Sequence, residues 1–410
     1  MFSISQDFAP PFKLISPFFI VGSFFYLAAV FYIFSIAHQN ISLLDAKILG
    51  FVHLFLLGFV MMVIFGAMAQ LVPVVLEVGH FGVELFYAIW PLLGIGTVMM
   101  VFGFSYPMLL PFGGVVVLIA MMIFVMEIFL TIRKVEKLTL VMSSVLIANI
   151  FLFFGIIFGL VMSLGYAGMI SIDIDALLRS HVFLVVVGYI VVTIMGLSAV
   201  LIPMFGLSHG FSMRPLKIAM TMIGIAALFV VASSLGGIGA LAYFGYALSV
   251  AAMVVYFFFV RVIYKTRARK EIDIYAKSLL FSYVSFMVSL VLGVLYFLGA
   301  GEPFILSAGW LMFFGFFGFI ITGHIYKIIP FLVWFERFSP LVGKQKVPML
   351  ADMLPQKSSS AQLLFSATGV VVVAVALLLQ NEILIKAGAS FLLFGVFAFV
   401  KSVFYMINYK

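Results

Sequence analysis

The sequence predicts an all-α polytopic membrane protein. Twelve transmembrane helices are expected, as three pseudo-symmetric four-helix repeats, with the N- and C-termini cytoplasmic. Three observations carry this. First, the 410 residues are 66% hydrophobic and only 9% charged, with mean hydropathy +1.35; soluble proteins carry roughly 25% charged residues. Second, twelve stretches hold enough apolar residues, about 20 each, to cross hydrocarbon. Third, a glycine–glycine–proline ruler recurs: Gly58, Gly66 and Pro73; Gly188, Gly196 and Pro203; Gly315, Gly323 and Pro330. Its spacings are 8 and 7 each time, and its prolines lie 130 and 127 residues apart. A near-constant long period reads as an internal repeat.

In order, the spans are expected at 14–37, 48–75, 83–104, 109–132, 138–165, 179–206, 216–236, 239–262, 277–299, 304–331, 360–380 and 385–407. The run from Leu14 to Ile36 is too long for a signal-peptide core and no small-residue cleavage pattern follows it. Short breaks at SYPMLLP, from Ser105, and at GGIG, from Gly236, follow from the chemistry of Gly and Pro, which continue a helix poorly. Other breaks are charged, at Arg133–Lys137 and Arg261–Lys277. The stretch 336–360, with its prolines and serine run, reads as an exposed loop. The chain is therefore one transmembrane domain over 1–410, with repeats near 14–132, 138–262 and 277–407. The ruler helices are the second, sixth and tenth spans, and each is expected to end at its proline.

Charge sets the orientation. With alternating spans, 18 of the 22 Lys and Arg fall on the side of the N-terminus. Lys47, Arg179 and Lys386 fall on the other, and Lys327 lies inside a span. Cationic loops favour the cytoplasmic side, so both termini are read as cytoplasmic. For a two-membrane bacterium, helical spans imply the inner membrane. The net charge of +8 reports those loops and does not indicate a nucleic-acid partner. The absence of cysteine excludes thiolate metal sites, disulfides and covalent c-type haem. No phosphate loop, zinc signature or hydrolase triad is present.

This architecture resembles the haem–copper oxidase subunit I superfamily. The second span is closer to the NnrS family, haem- and copper-associated membrane proteins linked to nitric oxide response. That family's second helix carries a W-H-x-H-E-M-L-F-G-F segment, then a glycine eight later and a proline seven beyond. Here His53 takes the second histidine position, followed by Gly58, Phe59, Gly66 and Pro73. Gly50, Phe51 and Leu54 stand where the family has Trp, His and Glu. The opening span, PFFIVGSFFYLAAVFYI, is also similar. The resemblance implies haem b. An oxidase of this superfamily also uses three copper histidines on its sixth and seventh spans and a His-x-His pair in the outer half of its tenth. Here the seventh span has none, and His324 aligns with Ala67 and Leu197 in the inner half. Trp310 holds the depth of His53, about 20 Å from His324 at 1.5 Å per residue. A complete copper centre is therefore not expected.

Of the six histidines, His38, His80 and His209 read as interfacial. His53 and His181 lie five and seven residues before equivalent glycines. Two neutral imidazoles at one depth can take both axial positions of a haem iron; the bland alternative is two hydrogen-bonded polar residues at helix starts. His324 and Lys327 share a helix face at i, i+3. With Gln70 they form a candidate inner polar cluster, since ionisable groups inside spans default to function. The alternative for Lys327 is snorkelling to the headgroups. Glu127 reads as satisfied by the basic loop that follows it. Met61, Met62 and Met68 read as packing, although thioethers suit Cu(I).

Three functions remain open at this stage. The first is a haem-b protein acting in nitric oxide response or respiratory-chain chemistry. The second is a small-solute or ion transporter using the inner cluster. The third is a non-catalytic scaffold of a respiratory complex. The lipid bilayer is the expected partner; respiratory-chain proteins or further copies of the chain are candidates.

Overall fold

The structure, a computed structural model, describes residues 8–36 and 41–410. His38 lies outside the described residues. Among those described the protein is helical, apart from one isolated β-bridge between Ser208 and Arg267. Twelve helices are long and apolar enough to cross a membrane. They are α1 (Phe12–Ile33), α2 (Ala46–Leu76), α3 (Val83–Ser105), α4 (Pro107–Ile132), α5 (Leu140–Tyr166), α6 (Ile174–Gly206), α7 (Arg214–Gly236), α8 (Ala240–Thr266), α9 (Ile274–Ala300), α10 (Glu302–Arg337), α11 (Gln356–Leu378) and α12 (Glu382–Ile407).

The ends have local causes. Asp173 and Asp273 accept from Ala176 N and Ala276 N, both at 3.0 Å, and so cap α6 and α9. An N-cap carboxylate satisfies an amide that has no partner in the first turn. Hence α6 starts five residues before the expected 179. The ruler prolines do not stop their helices, contrary to the sequence expectation. Pro73, Pro203 and Pro330 lie inside α2, α6 and α10. In α2 and α6 the stop comes four residues later, at Glu77 and Leu207, both left-handed with φ of 55° and 51°. Val78 N and Ser208 N then donate to Pro73 O and Pro203 O. This is the Schellman pattern, unusual here for lacking a glycine at the left-handed residue.

The three ruler helices share a further feature. Each widens into a π-helix around its first glycine: 56–61 in α2, 183–191 in α6 and 311–317 in α10. Each also lies close on the helix before it. A Cβ on Gly58, Gly188 or Gly315 would meet Phe25, Phe151 or Ser285 within 2.8 Å. A Cβ on Gly66 or Gly323 would meet Phe18 or Ser278 within 2.9 Å, and one on Gly196 would run into Ser144. The partners on α1, α5 and α9 are seven residues apart every time: 18 and 25, 144 and 151, 278 and 285.

The helices gather into two compact units. Among the described residues, one comprises 8–9, 71–92 and 106–271; the other comprises 10–36, 41–70, 93–105 and 272–410. These units do not coincide with the boundaries 14–132, 138–262 and 277–407 expected from the sequence. In the first, Phe183 and Leu184 of α6 pack with Ala226, Ala227 and Val230 of α7. In the second, Tyr26 of α1 is fully buried and stacks on Phe59 of α2 at 4.4 Å.

The glycine joints give the first prediction. Gly196→Ala should destabilise by about 1–3 kcal/mol through overpacking. Adding Ser144→Gly should recover most of that loss. Gly224→Ala on α7, where a Cβ meets nothing within 4 Å, should be neutral or up to about 1 kcal/mol stabilising. Unfolding in detergent micelles reads all three; equal stability of the two alanine variants would contradict the joint.

Candidate functional site

His53 and His181 each sit just ahead of a π segment, which opens at Leu56 in α2 and at Phe183 in α6. Trp310 holds the corresponding place in α10, where the π segment opens at Leu311. π-bulges inside α-helices are frequent at functional sites. His53 Nδ1 lies 2.8 Å from Leu49 O, and His181 Nδ1 lies 2.8 Å from Gly155 O. A carbonyl only accepts, so Nδ1 carries the proton in both rings and Nε2 carries the lone pair. That is the tautomer in which histidine ligates through Nε2, with its other nitrogen anchored. His53 packs against Phe104 of α3 with ring centroids 4.8 Å apart. His181 fills a notch on α5, where a Cβ on Gly159 would lie 2.8 Å from its Cε1. The two histidines belong to different units.

Each imidazole, taken by itself, presents the tautomer of an Nε2 metal ligand. Between α2 and α10 the packing is aromatic. Phe314 lies 4.1 Å from Phe55, 4.3 Å from Trp310 and 5.4 Å from Phe51, with interplanar angles of 22° or less. Trp310 is locked by donating Nε1 to Val370 O of α11 at 2.9 Å. Aromatic stacking thus fills this seam. Among the described residues, no three His, Cys, Asp or Glu side chains gather as a metal site.

The inner residues assemble differently from the expected cluster. Lys327 Nζ lies 2.6 Å from Asp273 Oδ2. The capping carboxylate of α9 therefore receives it. His324 donates Nδ1–H to Ile320 O at 2.7 Å, and its Nε2 accepts from Tyr275 OH at 3.3 Å. His324 and Lys327 thus each bond to the start of α9, through Tyr275 and through its N-cap Asp273. Gln70 is not tied to it by hydrogen bonds: its Oε1 is buried with no hydrogen-bond partner. Tyr26 OH is likewise buried without one. Tyr326 OH donates to Gln362 Oε1 at 3.4 Å, and Gln362 Nε2 reaches Ser366 Oγ at 3.4 Å.

Sequence reasoning misplaced one pair. His80, read as interfacial, has its side chain only 2% exposed. Its Nδ1 lies 2.7 Å from Oε1 of the fully buried Glu127. Phe81 N and Thr131 Oγ1 donate to the same oxygen at 3.1 and 2.7 Å. The basic loop does contribute, though not to the carboxylate: Lys134 Nζ donates to Gly79 O and His80 O. The available signal was the acidic residue inside a span; nothing in the sequence named its partner. His209 is exposed.

Comparison with protein-family models and with curated proteins returns no match.

The Asp273–Lys327 pair gives the second prediction. Both side chains are about three quarters buried, so Lys327→Met, which leaves Asp273 only its cap bond to Ala276 N, should lose about 1–3 kcal/mol. Lys327→Asp should accumulate less in the membrane and melt lower, because two carboxylates would share one site. Equal accumulation and melting of the two variants would show that the pair does not form in the bilayer.

Proposed function

We propose a membrane protein of the oxidase subunit I-like architecture, built as three four-helix repeats, with both termini on the cytoplasmic side of a bacterial inner membrane. Matched glycine joints, π segments and ruler spacings support the repeat. The cationic loops support the orientation. On this frame the chain holds haem b through His53 and His181, without a complete copper centre. Its role lies in nitric oxide response or respiratory-chain chemistry, as its resemblance to the NnrS family suggests. One observation carries the haem reading: two imidazoles on equivalent helices, each anchored at Nδ1 by a carbonyl 2.8 Å away and each heading a π segment.

A haem with two histidine ligands supplies one-electron chemistry. The chain's residues hold and tune the ligands. Leu49 and Gly155 carbonyls fix the rings by accepting from Nδ1–H. Phe104 and the Gly159 notch restrain ring rotation.

A second reading is a small-solute or ion transporter. It is favoured by the buried, unpartnered Tyr26 OH and Gln70 Oε1. Such atoms are disfavoured in a dry interior, and a passing polar solute or water would satisfy them.

Protein purified from cells with ample haem supply should give a b-type pyridine haemochrome. Reduced protein should show a sharp alpha band and bind carbon monoxide poorly. His53→Ala and His181→Ala should each lower haem retention, whereas His324→Ala should leave the spectrum unchanged. Colourless wild-type protein would overturn the haem reading; solute uptake into proteoliposomes would then favour the second.

A further inference from the structure

A cavity of about 110 Å³ opens within the second unit, alongside the first turns of α10. Its lining side chains are all hydrocarbon or aromatic. Ile33 and Val52 of α1 and α2 face Leu306 and Phe313 of α10, with Leu377 of α11 and Ile385 of α12 completing the wall. Its floor is the ring stack already described: Phe51, Trp310 and Phe314 are within 12° of parallel. The floor is rigid because Trp310 Nε1 is tied to Val370 O. One lining residue of α10 is Gly309, and a Cβ placed there meets nothing within 4 Å. The space before it is open.

Depth and chemistry narrow the occupant. The α10 lining runs from Ile305 to Phe314, within about 18 Å of the start of the helix at 1.5 Å per residue. That is close to the thickness of one leaflet's hydrocarbon, half of about 30 Å. Polar groups stand beyond it on the same side. Leu43, itself a lining residue, donates its N–H to Glu302 Oε1 at 2.8 Å, and Lys47 Nζ donates to Ser35 O at 2.6 Å. The gradient from polar rim to aromatic floor is that of a lipid lying along its leaflet. A dry apolar cavity of comparable size, about 150 Å³, takes benzene or xenon, so this one has room for the end of one chain.

We propose that this cavity binds the hydrocarbon chain of a bilayer phospholipid, inserted beside Gly309 onto the Phe51–Trp310–Phe314 floor. The site is independent of the haem reading, since it uses neither His53 nor His181. No lining group can recognise a headgroup, so selectivity is for the chain.

The test reconstitutes the full chain in nanodiscs with phosphatidylcholine carrying a diazirine late in one acyl chain, then maps labelled peptides by mass spectrometry. Label should concentrate in 41–52 and 305–314. Gly309→Leu should lower it several-fold there, and Gly309→Ala should lower it less. Gly293→Leu on α9, also in open space, should leave it unchanged. Even labelling across lipid-facing positions such as Leu228 and Phe394, unaffected by Gly309→Leu, would mean annular lipid only and overturn the proposal. Competition by free fatty acid without phospholipid labelling would overturn it too. If Gly309→Leu fails to fold, undiminished labelling in Gly309→Ala does the same.

Discussion

Close approach of consecutive helices at paired glycines is the constraint on which the rest depends. In a bilayer no hydrophobic force draws helices together, because lipid tails are as apolar as leucine. Association then rests on van der Waals contact, and contact is closest where one helix has no side chain. Each ruler helix offers two such gaps, eight residues apart, and the preceding helix fills them with side chains seven apart. The unequal counts have a physical reason. A π turn, bonded i to i+5, takes one more residue than an α turn. Part of each π segment lies between the two glycines, so eight residues there match seven on the α-helical stretch of the partner. The π segment and the glycine spacing are thus two sides of one geometric fit.

That fit also aims side chains. An inserted residue shifts everything ahead of it around the helix axis. His53, His181 and Trp310 stand at that shifted end of their helices, yet they meet different surroundings. The histidines are anchored by carbonyls, while Trp310 is built into an aromatic floor by Val370 O. The same frame therefore carries two polar positions and one apolar one. The Asp273–Lys327 pair and the Tyr275–His324 contact lie on the third joint's own helices, α9 and α10.

Much of the architecture was legible in the sequence because bilayer thickness makes span length a strict rule. Twelve expected spans correspond to twelve helices, with ends moved by a few residues. The shifts have local causes, such as the Asp173 cap that starts α6 early. Proline misled because its missing N–H matters only to the turn before it, so α10 continues past Pro330 to Arg337. Long-range polar pairing was not legible. Nothing near His80 in the chain points to Glu127, 47 residues away, and nothing near Lys327 points to Asp273. The glycine ruler was visible as spacing, but its meaning required the partner helix, whose matching residues are two phenylalanines in one joint, serine with phenylalanine in the next, and two serines in the last. Position is preserved there while chemistry varies, which a reading of residue types alone passes over.

The natural absence of cysteine permits a direct test of the three joints. Cysteine pairs replacing Phe25 with Gly58, Phe151 with Gly188, and Ser285 with Gly315 would be oxidised in native membranes. Equivalent joints require all three pairs to form disulfides at comparable rates once the backbones ease apart to the usual Cβ separation of about 3.8 Å. Mismatched pairs, Phe25 with Gly66 or Phe151 with Gly196, should stay reduced. Cross-linking of only one matched pair, or equal cross-linking of the mismatched pairs, would contradict a fold organised around three equivalent glycine joints.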